Sequence, residues 1–417
     1  MLSGIGKEGI GVMTIKRSWP ITGGISVIAL VAIPVLAQRA PTSGPVARYD
    51  MRAGTVSGFA AMGGGMGGAM SMAFGGGGDR VQHELLLRLG SSQGPAGGTA
   101  KADHFMPAGA KLGKSVALVT PVQERGPGDQ LPGQRDGQKP SGRLLVFWGC
   151  GEHAPKGQPV VIDFTKLTAG QMPPGMWSAT VLRDWGPTLQ NSKTFGRWPA
   201  EDGKSVKAAR SLIGAHRVAG NYTPEIAFNL TQDFMAPLKT SSTQNASGSS
   251  LLSWNAVPSA TGYLAFLFGG KMAAGGQMGD MVMWTSSASR QFGGGLSDWL
   301  TPEQVAALVK ARTVLAPSIT SCTIPAEVRG AGADFRMGTL TAFGPEEDFA
   351  NPPRPADPKA AWNLQWTVRV RHRSTTSWMD MPGMTDQTAQ QDQPKKCKPK
   401  GLGGLLGAVV TGGSGGC

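Results

Sequence analysis

Short apolar runs separated by Gly and Pro recur along most of this chain, and the clearest pair lies within Leu251–Phe268. Leu252 and Trp254 sit two apart, so in an extended strand both side chains point to one face. Pro258-Ser-Ala-Thr-Gly262 follows; proline cannot donate to a central ladder, and its neighbours are loop formers. A second strand then sets Tyr263, Ala265 and Leu267 against Leu264, Phe266 and Phe268 on the opposite face. Both faces are apolar, which suits a strand inside a sandwich better than one with a wet side.

The same rhythm extends in both directions. On the N-terminal side it predicts strands around 85–87, 115–119, 143–149, 159–164, 177–183, 212–218 and 225–231, where Ile226, Phe228 and Leu230 alternate cleanly. Val206, Ala209 and Ile213 also fall at helical spacing, so 205–213 has a short helix as its alternative. On the C-terminal side strands are expected at 280–286, 317–324, 334–343 and 363–373. One helix interrupts them: Thr301 is an N-cap, Pro302 suits the first turn, Gln304 completes a capping box, and Val305, Leu308 and Val309 make an apolar stripe.

The pattern of Leu252, Trp254, Val257, Pro258, Ala260, Gly262 and Tyr263 resembles the B-strand, loop and C-strand of fibronectin type III domains. The match spans about 18 of 417 residues. It implies a sandwich in which the Trp is core and the Tyr packs across, and it brings no catalytic residues. The expected fold class is therefore all-β: two β-sandwich-like domains with a short helix insertion, flanked by Gly-rich disordered segments. The expected boundaries are a Gly/Met-rich low-complexity linker at 38–80, a β-rich domain at 81–232, a fibronectin type III-like domain at 233–373, and a basic Gly-rich tail at 374–417.

The segment before the linker changes the picture. Lys16 and Arg17 precede an apolar run from Ile21 to Ala37 that is broken by Gly23, Gly24 and Pro34 and ends in Val35-Leu36-Ala37. That is the layout of a cleaved signal peptide over 1–37, too short and interrupted for a spanning helix. An exported protein is expected, in the periplasm, on the outer surface or outside the cell, and not integral to the membrane after cleavage. Export permits disulfides among Cys150, Cys322, Cys397 and Cys417. Cys397 and Cys417 flank the glycine-rich tail, while Cys150 and Cys322 would pair with each other or stay as buried thiols.

The formal charge is +13. Such a balance favours polyanions, and outside the cytoplasm anionic polysaccharide or lipid headgroups are more accessible than nucleic acid. In Trp366-Thr-Val-Arg-Val-Arg-His-Arg373, alternation puts Arg369, Arg371 and Arg373 on one face, opposite Trp366, Val368, Val370 and His372. Those guanidinium groups would bind an anionic polymer, or else keep an edge strand soluble. Met379, Met381 and Met384 resemble the Met-rich segments of periplasmic copper-handling proteins, since thioether sulfur suits Cu(I). Catalytic templates fare worse. Gly412-x-Ser414-x-Gly416 lacks a strand before it and a helix after it, and Gly63, Gly65 and Gly68 fall in a glycine tract. Glu346-Glu347-Asp348 resembles a solvated turn, and Cys150 with His153 lacks an orienting third group. The expected function is a non-catalytic envelope or surface binding module for an anionic polymer, with a periplasmic Cu(I)-binding protein and a secreted hydrolase as the alternatives.

Overall fold

The computed structural model describes residues 44–62, 80–121, 142–168, 170–171, 182, 184, 186–200, 205–207, 209–272, 278–292, 295–296, 298–357 and 360–380. The N-terminal part supplies β1 (Ala47–Gly58), β2 (Val81–Ser91), β3 (Ala102–Phe105), β4 (Val116–Ala117), β5 (Arg143–Trp148), β6 (Val160–Asp163), β7 (Thr194–Trp198), β8 (Ser205–Lys207), β9 (Gly214–Gly220) and β10 (Ile226–Leu230). The C-terminal part supplies β11 (Thr240–Gln244), β12 (Ser250–Trp254), β13 (Gly262–Met272), β14 (Met278–Thr285), β15 (Ser321–Ile324), β16 (Phe335–Asn351) and β17 (Trp366–Asp380). Between them stand the short helices α1 (Phe164–Thr168), α2 (Pro302–Lys310) and α3 (Ala326–Gly330). No helix among the described residues is long and apolar enough to cross a membrane.

The architecture is mostly β, and its backbone is one ten-stranded sheet in the order β6-β5-β14-β13-β16-β17-β1-β2-β7, with β8 also paired to β2. Two smaller sheets cover different stretches of one face. Near the β17-β1-β2 end lies the four-stranded sheet β10-β9-β3-β4. Tyr49, Met51, Leu85, Leu87, Leu89 and Val368 pack against Val218, Ile226 and Phe228 there. Near the β14-β13-β16 end lies the three-stranded sheet β11-β12-β15, where Leu252, Trp254 and Ile324 pack against Tyr263, Leu267, Trp284 and Leu340. Fully burying side chains of this size contributes about 1.5–3 kcal/mol each. The result is two sandwich-like layers that share one sheet.

The strand rhythm survives with changed limits. Ala47–Gly58, inside the expected linker, is a central strand: Ala47, Tyr49, Met51 and Ala53 are buried on one face while Arg48, Asp50 and Arg52 take the other. It pairs in parallel with β17 and antiparallel with β2, so strands from both sides of residue 232 share one ladder. β17 runs on to Asp380, past the expected end at 373, and it is no edge strand, because β16 and β1 flank it. Ser205–Lys207 is a strand where a helix was the alternative. Apart from Leu182, the strand expected at 177–183 lies outside the described residues, as does the signal segment. The helix at 302–310 has its capping box: Gln304 N donates to Thr301 Oγ1 at 3.2 Å, and Thr301 N donates to Gln304 Oε1 at 2.9 Å.

The first sandwich buries a polar chain. His216 Nε2 lies 2.7 Å from the Leu212 carbonyl, which can only accept, so that nitrogen carries the proton. His216 Nδ1 then accepts from His104 Nε2 at 2.9 Å, and His104 Nδ1 accepts from the Tyr49 hydroxyl at 2.6 Å. This arrangement is satisfied only by neutral rings, and burial holds both imidazoles below their usual range. Burial also lowers His372, and it brings His83, stacked on Phe234, down to about 4. The unfolded chain takes up these protons near 6.5, above the folded value, so stability is complete above about pH 6.5 and is lost as pH falls toward 4. Urea midpoints should fall across that window, and His83→Asn should flatten the decline; an identical decline in the variant would exclude His83 as a contributor.

Candidate functional site

The face of the large sheet opposite the two small sheets carries the charges. Period-2 alternation brings Asp50 and Arg52 of β1, Glu84 and Arg88 of β2, Glu346 and Asp348 of β16, and Arg369, Arg371 and Arg373 of β17 to this one face. Asp50 is its hub: Oδ2 accepts from Arg52 Nε at 2.9 Å and Arg88 Nη2 at 2.8 Å, and Oδ1 accepts from Arg371 Nη2 at 2.6 Å. Asp184 adds a second carboxylate, bonded to Arg52 and, at 2.7 Å, to Arg88. Trp299 closes the top; its carbonyl accepts from Arg371 Nη1 at 2.5 Å, and its ring lies 4.0 Å from the Arg373 guanidinium carbon. A Cβ at Gly186 would stand 2.7 Å from Arg88 Nη2 and 3.1 Å from Asp50 Oδ2, so a side chain there would press on this network.

This geometry corrects the three-arginine stripe. The residues do share a face, but Arg371 is buried and held by Asp50, and Arg373 pairs with Glu84 at 2.7 Å. Neither offers its charge to a ligand. Only Arg369 reaches an open surface, its side chain 39% exposed, with Nε 3.4 Å from Glu346 and 3.7 Å from Asp348. Glu346 is not in a solvated turn. It stands in β16 beside the register shift at Phe343/Glu346, and burial pushes its carboxyl up to about 7 against the opposing pull of Arg369 and Arg371. On the acidic side of neutrality Arg369 therefore faces one negative charge fewer.

Arg369 opens onto a cleft of about 840 Å³ between the start of β1, the 186–187 turn, the end of β16 and the chain entering β17. Arg48, Arg354, Trp362 and Trp366 line it with Arg369 and Asp348. Arg48 Nη2 donates to the Asn191 carbonyl at 2.8 Å and to Asn191 Oδ1 at 2.9 Å, so this guanidinium is held without its charge being neutralised. Arg354 lies over the Trp362 ring, 5.7 Å from the centroid, and Trp362 Nε1 donates to the Pro352 carbonyl at 2.9 Å. Neither Arg48 nor Arg354 pairs with a carboxylate among the described residues. Asp50 also touches the cleft, but its oxygens already hold three arginines. Of the cleft residues the stripe pointed to Arg369 alone. Arg48 was missed because 38–80 was expected to be a linker, though the Arg-x-Asp-x-Arg alternation of 48–52 carried a signal for it, while Arg354 sits in a Pro-rich loop with no periodic signal.

The remaining candidates are placed as follows. Cys150 and Cys322 form a disulfide, which takes Cys150 out of reach as a nucleophile, and His153 instead faces Glu327 at 3.2 Å. Cys397 and Cys417 lie outside the described residues. Met379 stands opposite Met337 across the β16–β17 ladder, and Met381 and Met384 lie outside the described residues. No group of three or more His, Cys, Asp or Glu suited to a metal occurs among the described residues. No protein family, curated protein or solved structure matches the chain.

Proposed function

We propose that this protein is an exported, non-catalytic module that binds an acidic polysaccharide in the Arg48–Arg354–Arg369 cleft. The observation that carries the reading is the charge accounting: Arg52, Arg88, Arg371 and Arg373 spend their charge on internal carboxylates, whereas Arg48 and Arg354 face the cleft with none. Guanidinium groups match carboxylate and sulfate oxygens in pairs, and an indole face such as Trp362 stacks on a sugar ring. A concave site favours a saccharide chain over a membrane surface, to which a protruding basic patch would be better suited. The Cys150–Cys322 disulfide supports export, because such bonds persist in oxidising compartments. The fibronectin type III-like reading of 233–373 draws support from the partition of the strands that begin there. The first, second and fifth strands of that segment lie in the small sheet and the third, sixth and seventh in the large one, as constant-type immunoglobulin sandwiches divide theirs, while the fourth departs from that pattern by lying in the large sheet.

On an immobilised acidic polysaccharide the protein should be retained and should elute with salt. Arg48→Ala with Arg354→Ala should weaken binding by about tenfold, the order expected for losing charge-assisted hydrogen bonds. Retention unchanged in the double variant would reject the cleft as the site. Stronger association with anionic vesicles than with the polysaccharide would reassign the ligand to lipid headgroups.

A further inference from the structure

A second groove of about 570 Å³ adjoins the cleft, and Arg48 lines both. Its other polar walls are Ser91, Ser92, Gln190, Asn191, Ser192 and Lys193. No carboxylate is among its lining residues, and Lys193 makes no ion pair among the described residues. Asn191 builds the joint between the two. Its Oδ1 accepts from Arg48 and from Thr188 N, while its Nδ2 donates to the Gly186 carbonyl at 2.9 Å. Arg48 is thereby fixed at the junction by a turn that is itself hydrogen-bonded, which is the preorganisation a binding group needs.

Either groove alone is of the size that holds one drug-sized molecule, roughly 300–1,000 Å³. Together they exceed that, and cations recur from Arg354 through Arg48 to Lys193 without an intervening acid other than Asp348 and the spent Asp50. A single small anion would use only part of this surface. A repeating anionic chain would use all of it.

Resting on the polysaccharide reading above, we propose that the ligand is bound as an extended segment spanning both grooves, with Gln190 and Lys193 forming a second subsite for sugar hydroxyls and a further acidic group. The first groove supplies aromatic contact and the larger share of the cations, Arg48, Arg354 and Arg369. The second, lined by hydroxyl, amide and ammonium groups without an aromatic ring, supplies length recognition.

The test uses oligogalacturonates of defined length, from three to ten units, titrated into the full-length protein by calorimetry. Affinity should rise with length and level off once both grooves are occupied. Gln190 and Lys193 are exposed, so Lys193→Ala with Gln190→Ala should leave the fold intact. That double variant should bind the decamer about fivefold more weakly, in the range of an exposed ion pair, and the trimer as the wild type does. Arg354→Ala should weaken both. Equal affinity for trimer and decamer, or a decamer indifferent to the Lys193/Gln190 change, overturns the second subsite while leaving the first groove standing. Binding at no length overturns the polysaccharide reading and the subsite together.

Discussion

Asp50→Asn should lower the stability of this protein by about 3–5 kcal/mol, the cost of leaving a buried charge uncompensated. The substitution keeps the volume and removes one negative charge from beneath Arg52, Arg88 and Arg371, at 2.9, 2.8 and 2.6 Å. Arg52 and Arg371 are nearly sealed from solvent, so water cannot replace the lost carboxylate. Asp184 remains as the other shared carboxylate, but it is more exposed and lies 3.6 Å from Arg371. Glu225→Ala provides the contrast. It removes the partner of Arg217 from a pair that is largely exposed on both sides, and such pairs contribute about 0–1 kcal/mol. Denaturant titrations of the two variants should differ by several-fold in their loss; equal losses would mean that the network contributes no more than a surface pair.

The second large effect is expected from the disulfide. Cys150 and Cys322 are 172 residues apart, and the bond ties the loop after β5 to β15 in the three-stranded sheet. Closing a loop of that length removes entropy from the unfolded chain worth about 5 kcal/mol in the chain-entropy treatment, and measured losses run about 2–5 kcal/mol. Cys150→Ser with Cys322→Ser should therefore lower unfolding stability by about 3–5 kcal/mol. Reductant should reproduce the loss in the wild type and leave the double variant unmoved. Reductant-insensitive unfolding of the wild type would show that the cross-link carries no stability.

The network and the disulfide share a feature that bears on how this fold is encoded. Each joins residues remote in sequence, Asp50 to Arg371 and Cys150 to Cys322, so nothing in the local pattern announces the pair. The helix at 302–310 behaves differently, because its cap, its first-turn proline and its apolar stripe all lie within one short segment. Trp254 and Tyr263 were legible for a related reason. Alternation assigns them to buried faces, and the indole and phenol indeed meet at 5.6 Å in one core, with Tyr263 Oη accepting from Val257 N at 2.9 Å.

The arginine stripe marks the boundary between the two kinds of information. Alternation placed Arg369, Arg371 and Arg373 on one face and His372 on the other, and that is where they lie. Which of them meets solvent depends on what covers the face: β1 beside them, Asp184 across them and Trp299 above Arg371 and Arg373. The sequence by itself determined most of the strands after residue 80, the capped helix, the all-β class and the side of the sheet those residues take, because backbone periodicity and capping are local; it missed β1, β3, β7 and β11. Only the tertiary structure decided that β17 is central, that Arg371 and Arg373 are internal counter-ions, and that Arg48, Arg354 and Arg369 converge on one cleft. Charge becomes available or spent through neighbours brought together by long-range pairing, and that pairing is a property of the whole sheet.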